Sequence, residues 1–194
     1  MLILASNSLT RRKLLQEAGV SFCVASPNFD EDDAKHAEPT LPPDVLSLRL
    51  AHGKALSVSV EKPLDHVIGS DQVLECQGRI FSKPSTLEEA KQHLLALNGR
   101  NHYLHTSVAL AFHNKIIWTH TDKVSMGMRQ FSNAFLESYL LTEKEDILFS
   151  VGAYKFEGSG IQLFDSVCGN FHSILGLPLL PLLQELRKHG LIPS

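Results

Sequence analysis

The chain has 194 residues, with 18 Lys and Arg against 21 Asp and Glu and a net charge of −3. That length carries one core of ordinary size or at most two small lobes, and 43% hydrophobic with 20% charged residues excludes a disordered chain. The slightly acidic balance excludes broad coating of nucleic acid, while leaving room for a local basic pocket.

Leu2–Ala5 reads as a short buried strand. It runs into Ser6, Asn7 and Ser8, and then into Arg11 and Arg12. Ser8 is a good helix N-cap, Leu14, Leu15 and Ala18 supply an apolar face, and Gly19 closes the helix. Phe22–Ala25 resembles a second strand, followed by an acidic loop, "FDEDDAKHAEP". From Pro43 a long helix is expected, because Val45, Leu48, Ala51, Ala55 and Val58 recur at helical spacing. "HVIGSD" reads as a strand ending in polar residues, and "VLECQGRIF" as a hairpin turning at Gln77-Gly78.

The clearest helix is "STLEEAKQHLLALNG". It offers capping boxes at Ser85/Glu88 and Thr86/Glu89, a stripe of Leu87, Ala90, Leu94 and Leu97, and an Asn-Gly stop. Residues 101–128 hold two strand-like runs around "HNK", a second hairpin. A helix after Ser132 pairs Phe135 with Tyr139 and Leu136 with Leu140. The glycine-rich "VGAYKFEGSGIQLF" follows, and a last helix starts at Leu177 or Pro178 and ends at Gly190. Its apolar segment "LLPLLQEL" reads as core or as a dimer face. Early alternation of strands and helices with later mixing predicts an α/β or mixed α+β fold on a twisted mixed sheet, with one domain over 1–194.

Three cysteines, Cys23, Cys76 and Cys168, lie far apart with no CxxC or Cys/His spacing. They suggest neither a disulfide framework nor a zinc site, and they fit a reducing cytoplasm. No apolar run approaches the roughly 20 residues of a membrane span, and the N-terminal stretch is too short for a signal peptide.

Several side chains could carry chemistry. Backbone N–H groups at a helix start, the hydroxyls of Ser6 and Ser8 and the guanidinium of Arg11 or Arg12 make a phosphate cradle. The same residues also read as an ordinary cap with two solvated arginines. Asp71, at the end of a buried strand, could bind a metal, accept a proton from water, or cap its own turn. Lys83 in "FSKPST" could reach a phosphate at a helix start or sit on the surface in a proline-fixed turn. Lys54 falls at the edge of the long helix's apolar stripe, where a snorkelling lysine is the ordinary explanation. Glu31 belongs to a run with Asp30, Asp32 and Asp33 that is either solvated or a source of oxygen ligands for Mg²⁺. Glu157 lies in a glycine-flexed loop where a carboxylate could accept from a nucleobase edge, or in a plain turn.

The ten histidines are scattered without HExxH spacing and read as structural or surface residues. There is no G-x-S-x-G elbow, P-loop or GxGxxG. Taken together, two lysines, one or two arginines, hydroxyls and two carboxylates suit a triphosphate with a divalent metal.

Those motifs, "LILASNSLTRRKLL", "FDED", "RLAHGKA", "GSDQV", "FSKP", "SVGAYKFEGSG" and "ILGLPLLPLL", resemble in order the Maf family of nucleoside triphosphate pyrophosphatases, the septum-formation-inhibitor-like proteins. The resemblance implies an elongated mixed sheet flanked by helices, with two lobes around a deep cleft. It implies hydrolysis between the α and β phosphates of a nucleotide with Mg²⁺ or Mn²⁺. It implies Asp71 as general base, with Glu31, Lys54, Lys83, Ser8 and Arg11 handling phosphates and metal. Thr10, Gln72 and Glu157 fall at positions tied to base choice, and the last two look like the branch acting on 7-methyl-GTP. Leu9 replaces the family's usual proline, Ser82 its usual glycine, and Thr10 matches neither the Arg nor the Trp of the two branches. The implied partner is a small nucleotide, with no nucleic acid and no membrane. The family's older name offers the rival reading of a non-enzymatic nucleotide-sensing regulator of septum formation.

Overall fold

The computed structural model describes residues 1–37 and 40–193; Glu38 and Pro39 of the acidic stretch, the side chains of Asp32, His36 and Ala37 within it, and Ser194 lie outside the described residues. The chain forms a seven-stranded mixed sheet in which Cys23–Ala25, Leu2–Ala5, His66–Cys76, Asn101–Phe112, Lys115–Met128 and Phe164–Cys168 lie side by side in that order, with Arg79–Phe81 paired to His66–Cys76 off that path. Its elements are β1 (Leu2–Ala5), α1 (Leu9–Glu17), β2 (Cys23–Ala25), α2 (Glu31–Ala37), α3 (Pro43–Glu61), β3 (His66–Cys76), β4 (Arg79–Phe81), α4 (Leu87–Leu97), β5 (Asn101–Phe112), β6 (Lys115–Met128), α5 (Asn133–Glu143), β7 (Phe164–Cys168), α6 (Phe171–Ile174) and α7 (Leu179–Lys188). The expected mixed α/β class is the observed one. No described helix is long and apolar enough to cross a membrane.

The contacts divide the chain into two units. One holds Met1–Gln72, Thr106–Asp122 and Asn170–Ser194; the other holds Val73–His105 and Lys123–Gly169. In the first unit, β1 pairs in parallel with both β2 and β3. Side chains alternate across a strand, so β1 feeds two cores. Leu2 and Leu4 join Ile68, Val108 and Leu110 against Leu14 and Leu15 of α1 and Leu179, Leu182 and Leu186 of α7. Ile3 and Ala5 join Val67, Ala109 and Ala111 against Ala51, Ala55 and Val58 of α3. The second core is built from small residues, which lets α3 lie close to the sheet. A Cβ added to Gly69 would stand 2.2 Å from the Ala51 carbonyl oxygen, so β3 and α3 touch through backbone at that point. In "LLPLLQEL", the face made by Leu179, Leu182 and Leu186 is core, while Leu180 is exposed.

In the second unit, β3 turns into β4 through Gln77 and Gly78, both at positive φ, as a two-residue hairpin requires. The cap of α4 is Thr86, whose hydroxyl accepts from Glu89 N, and Glu89 reaches back to Ser85 N at 2.7 Å. The carboxylate of Glu89 thus bonds the residue before the cap, and Leu87 is exposed rather than part of the buried stripe, where His93 joins Ala90, Leu94 and Leu97. The turn from β5 to β6 is His113-Asn114, again at positive φ. The glycine-rich segment folds as short 3-10 turns before β7.

Four expectations of the sequence are corrected. The acidic "loop" contains α2, a helix that carries no apolar stripe to announce it. The strand through "HVIGSD" does not end at Asp71 but continues to Cys76, because β4 pairs with it from Leu74 onward. Ala18 is the exposed end of α1, since its N–H already closes the last turn on Leu14 O. The buried face of α3 keeps Ala51, Ala55 and Val58 of the expected stripe but is completed by Leu46, Ser47, Leu50, Lys54 and Ser59, while Val45 is exposed and Leu48 half-buried. Lys54 therefore lies within the buried face instead of at its edge.

Candidate active site

β1 makes its last pairing at Ala5 opposite Gly69, so the next residues of β3 have lost their parallel neighbour. The chain leaves the sheet there through Ser6, Asn7 and Ser8 and enters α1. Carboxyl ends of parallel strands are where α/β sheets leave room for ligands. Ser8 caps α1 by accepting from Arg11 N at 3.3 Å. Ser6 is buried, and its hydroxyl accepts from Ser8 N at 3.2 Å and from Arg11 Nη1 at 3.5 Å. Arg11 Nε donates to the Gly176 carbonyl at 2.7 Å. Thr10 is half-buried on the same first turn. Arg11 is thus not the solvated cation of the bland reading.

Lys54 crosses from α3 to β3. Its Nζ lies 2.5 Å from Asp71 Oδ1 and 2.9 Å from Glu31 Oε1. The Lys54 and Asp71 side chains are 7% and 9% exposed, which rules out snorkelling, whereas Glu31 at 41% opens to solvent. One ammonium therefore serves two carboxylates, one deep and one at the rim. Asp71 Oδ2 makes no bond among the described residues and is not sealed from solvent, so a water can reach it. Burial lowers the Arg11 guanidinium below its ordinary value, and the negative charges of Asp71 and Glu31 pull it back up. Arg11, Lys54, Asp71 and Glu31 form one electrostatic cluster of two cations and two carboxylates.

Alternation along β3 separates the neighbours of Asp71. Asp71 shares the α3 face with Val67 and Gly69. Ser70 and Gln72 share the opposite face with Ile68. There the Ser70 hydroxyl lies 2.8 Å from Ser107 O and 3.0 Å from Gly176 O, one proton between two carbonyls, and Gln72 Nε2 meets Ser173 O at 2.8 Å, Ile174 O at 3.1 Å and Thr106 Oγ1 at 2.9 Å.

Lys83 and Glu157 belong to the second unit. Lys83 is exposed in the connection from β4 to α4, just before buried Pro84. Glu157 is exposed in the turn after Phe156. That turn is pinned from α5. Glu143 accepts from Ser159 Oγ at 2.5 Å, and Lys155 Nζ lies 3.5 Å from Glu143 and 3.0 Å from Asp146. Gly160 is required, because an added Cβ would stand 2.4 Å from Lys155 O.

Of the residues singled out in the sequence, Ser8, Thr10, Arg11, Glu31, Lys54, Asp71 and Gln72 lie in the first unit, and all but Thr10 and Gln72 share the cap-and-charge arrangement just described. Ser70, Thr106, Ser173 and Gly176 were not foreseen. Only Gly176 left a signal: a glycine set between "IL" and "LP", which the structure holds at φ +93°.

Among the described residues no group of three or more His, Cys, Asp or Glu stands ready to hold a metal ion. The pair Glu31 and Asp71 still fits Mg²⁺, which takes one or two protein carboxylates and completes its shell with water and phosphate oxygens.

Fold and cluster define a mixed α/β protein that sets a capped helix N-terminus and two cations beside two carboxylates at the end of a parallel strand. The chain belongs to the Maf family: the model described as "Maf-like protein" matches residues 1–189. It is 44% identical to the 7-methyl-GTP pyrophosphatase of Bartonella henselae over 98% of this chain and 96% of that protein. It is 43% identical to the nucleoside triphosphate pyrophosphatase of Caulobacter vibrioides over 96% and 94%, and 46% identical to that of Granulibacter bethesdensis over 97% and 96%.

Proposed function

We propose that this protein is a nucleoside triphosphate pyrophosphatase that cleaves the α–β anhydride of a nucleotide such as 7-methyl-GTP, releasing the monophosphate and pyrophosphate. The carrying observation is Lys54, buried and bridging Asp71 and Glu31, in one electrostatic cluster with Arg11. The two cations neutralise the polyphosphate, and the N-terminus of α1 with its Ser8 cap offers further donors. Asp71 Oδ2 orients a water and takes its proton as the water attacks phosphorus. Lys54 holds the other oxygen of that carboxylate in place. Charge growing on the phosphate oxygens in the transition state meets fixed cations, which is where most of the acceleration of phosphoryl transfer comes from. Glu31 and Asp71 would hold a divalent cation, Mg²⁺ or Mn²⁺, which when bound neutralises charge on the phosphate oxygens.

Lys83 and Glu157 enter through the family pattern alone: Lys83 on the phosphates and Glu157 on the base, with Thr10 as a further base-choice position. On the same pattern residues 1–194 act as one Maf-like domain, in the cytoplasm and on the free nucleotide pool. A nucleotide-sensing regulator needs no carboxylate oxygen open to water beside phosphate-binding cations. The relatives' printed activities add to the case against it.

The test is a screen of 7-methyl-GTP, GTP, dTTP and UTP with Mg²⁺ or Mn²⁺, reading released pyrophosphate. Turnover with pyrophosphate and monophosphate in equal amounts is expected. Binding of nucleotide with no pyrophosphate from any of them leaves the regulator reading.

A further inference from the structure

Gln72 falls at a position implied for base choice, yet both protons of its amide are committed inside the protein. Nε2 faces the carbonyls of Ser173 and Ile174 and the hydroxyl of Thr106. Thr106 Oγ1 donates its own proton to Ser173 O at 2.8 Å, so it can only accept from Gln72. Two backbone carbonyls, which accept and never donate, fix which end of the amide is nitrogen. All of this happens on the face of the sheet away from Asp71 and Lys54.

The segment that Gln72 grips is the turn leaving α6. Gly176 N donates to Ser173 O at 3.2 Å, and Gly176 O accepts from Arg11 Nε at 2.7 Å, with the Ser70 hydroxyl, which also reaches Ser107 O, 3.0 Å away. The turn is also tethered from behind, where Ser173 Oγ donates to Asp122 Oδ2 and Asp122 Oδ1 meets His120 Nε2 at 2.7 Å. Gln72 and Arg11 are thus two ends of one chain of bonds: amide, Ser173 and Ile174 carbonyls, turn, Gly176 carbonyl, guanidinium. With Nε occupied by Gly176, Arg11 is oriented so that its two Nη groups remain for an anion, one only loosely held by Ser6 at 3.5 Å.

Resting on the reading that phosphates meet Arg11, we infer that Gln72 is a positioning residue for that arginine, acting through the Ser173–Gly176 turn, and does not touch the base. A residue here changes how well any polyphosphate is gripped. A switch in base preference on changing it is then a secondary effect of moving the phosphates.

The experiment uses tripolyphosphate, which has no base. Its affinity is measured by calorimetry with the full-length wild type, Gln72→Ala, Gln72→Glu, Arg11→Ala and the Gln72→Ala/Arg11→Ala pair. Gln72→Glu places an acceptor against two carbonyls, so it tests the clamp even if Ala is accommodated by water. Gln72→Ala is expected to weaken tripolyphosphate roughly tenfold, the scale of one lost hydrogen-bond set. The loss should be the same for 7-methyl-GTP and UTP, and the pair should be no weaker than Arg11→Ala alone. Unchanged tripolyphosphate affinity in Gln72→Ala and Gln72→Glu, with a loss confined to one nucleotide, overturns the inference and leaves the phosphate site standing. A wild type that does not bind tripolyphosphate removes the phosphate reading itself, and this inference with it. Where Gln72→Ala does not fold, Ser173→Ala, which keeps the carbonyl but cuts the Asp122 tether, gives the same comparison with the same opposing outcomes.

Discussion

Lys54 Nζ and Asp71 Oδ1 stand 2.5 Å apart, one on a helix and one on a strand, both withdrawn from water. Small residues make this contact possible. Ala51 and Ala55 let α3 settle onto β3 at Gly69, and the next turn of the helix then delivers Lys54 to the next residue on that face of the strand. Removing one member of a buried ion pair strands the other charge, and that cost exceeds the worth of the pair itself.

Lys54→Ala is therefore expected to destabilise the protein by roughly 3 kcal/mol in urea unfolding. Lys54→Met combined with Asp71→Leu should recover most of that loss while remaining inactive. A single substitution with unchanged stability argues against the pairing.

Gly69→Ala tests the close approach. The added carbon would meet the Ala51 carbonyl at 2.2 Å, and a backbone atom cannot rotate away. Overpacking of this kind costs about 1–3 kcal/mol. Turnover should fall further than stability explains, because α3 carries Lys54 with it. Equal melting temperature and rate would show that the helix has slack at this point.

The second unit carries a pH dependence of its own. His102 is fully buried against Tyr154, its Nε2 2.9 Å from the phenol oxygen, and burial pushes its pKa from 6.5 to about 4. The folded protein holds the ring neutral, while the unfolded chain takes up a proton below about pH 6.5. Stability from this group is complete above pH 6.5 and is lost as pH falls toward 4, by roughly 3 kcal/mol at most. His102→Gln, which can still bond the Tyr154 hydroxyl, should flatten urea-unfolding stability between pH 4.5 and 6.5. A slope as steep as the wild type's would assign that dependence to other groups.

Glu157 is exposed, so its replacement tests recognition with little interference from folding. Glu157→Gln should leave the melting temperature within about 1 °C, since surface changes rarely exceed roughly 0.5 kcal/mol. It should lower kcat/KM for 7-methyl-GTP, whose base is cationic, several-fold more than for GTP. An equal loss on both nucleotides would remove Glu157 from base choice.

Much of this arrangement was legible in the sequence. The strand–cap–helix start at Leu2–Glu17 was announced by a short apolar run, Ser8 and Gly19, and the two hairpins by Gln77-Gly78 and by "HNK", of which the structure uses His113 and Asn114 as the turn. Local chemistry decides such features. What escaped depends on tertiary contact. Apolar periodicity finds Ala51, Ala55 and Val58 of the buried face of α3 but passes over Ser47, Lys54 and Ser59. Ser47 is buried because its hydroxyl meets Ser107 at 2.7 Å, a partner 60 residues away. The continuation of β3 past Asp71 depends on β4, and α2, with the sequence EDDAKHA, has no apolar stripe to announce it. The commitment of Gln72 to the turn after α6 could not be read from spacing, since its acceptors are backbone carbonyls about a hundred residues later.

In the proposed reaction Asp71 is the group that activates water. Pyrophosphate release from 7-methyl-GTP with Mg²⁺ should be clear in the wild type and fall roughly 10²- to 10⁴-fold in Asp71→Asn, the range for loss of a general base, with nucleotide binding and the circular dichroism spectrum retained. An Asp71→Asn protein that is folded and turns over within a few-fold of the wild type contradicts it.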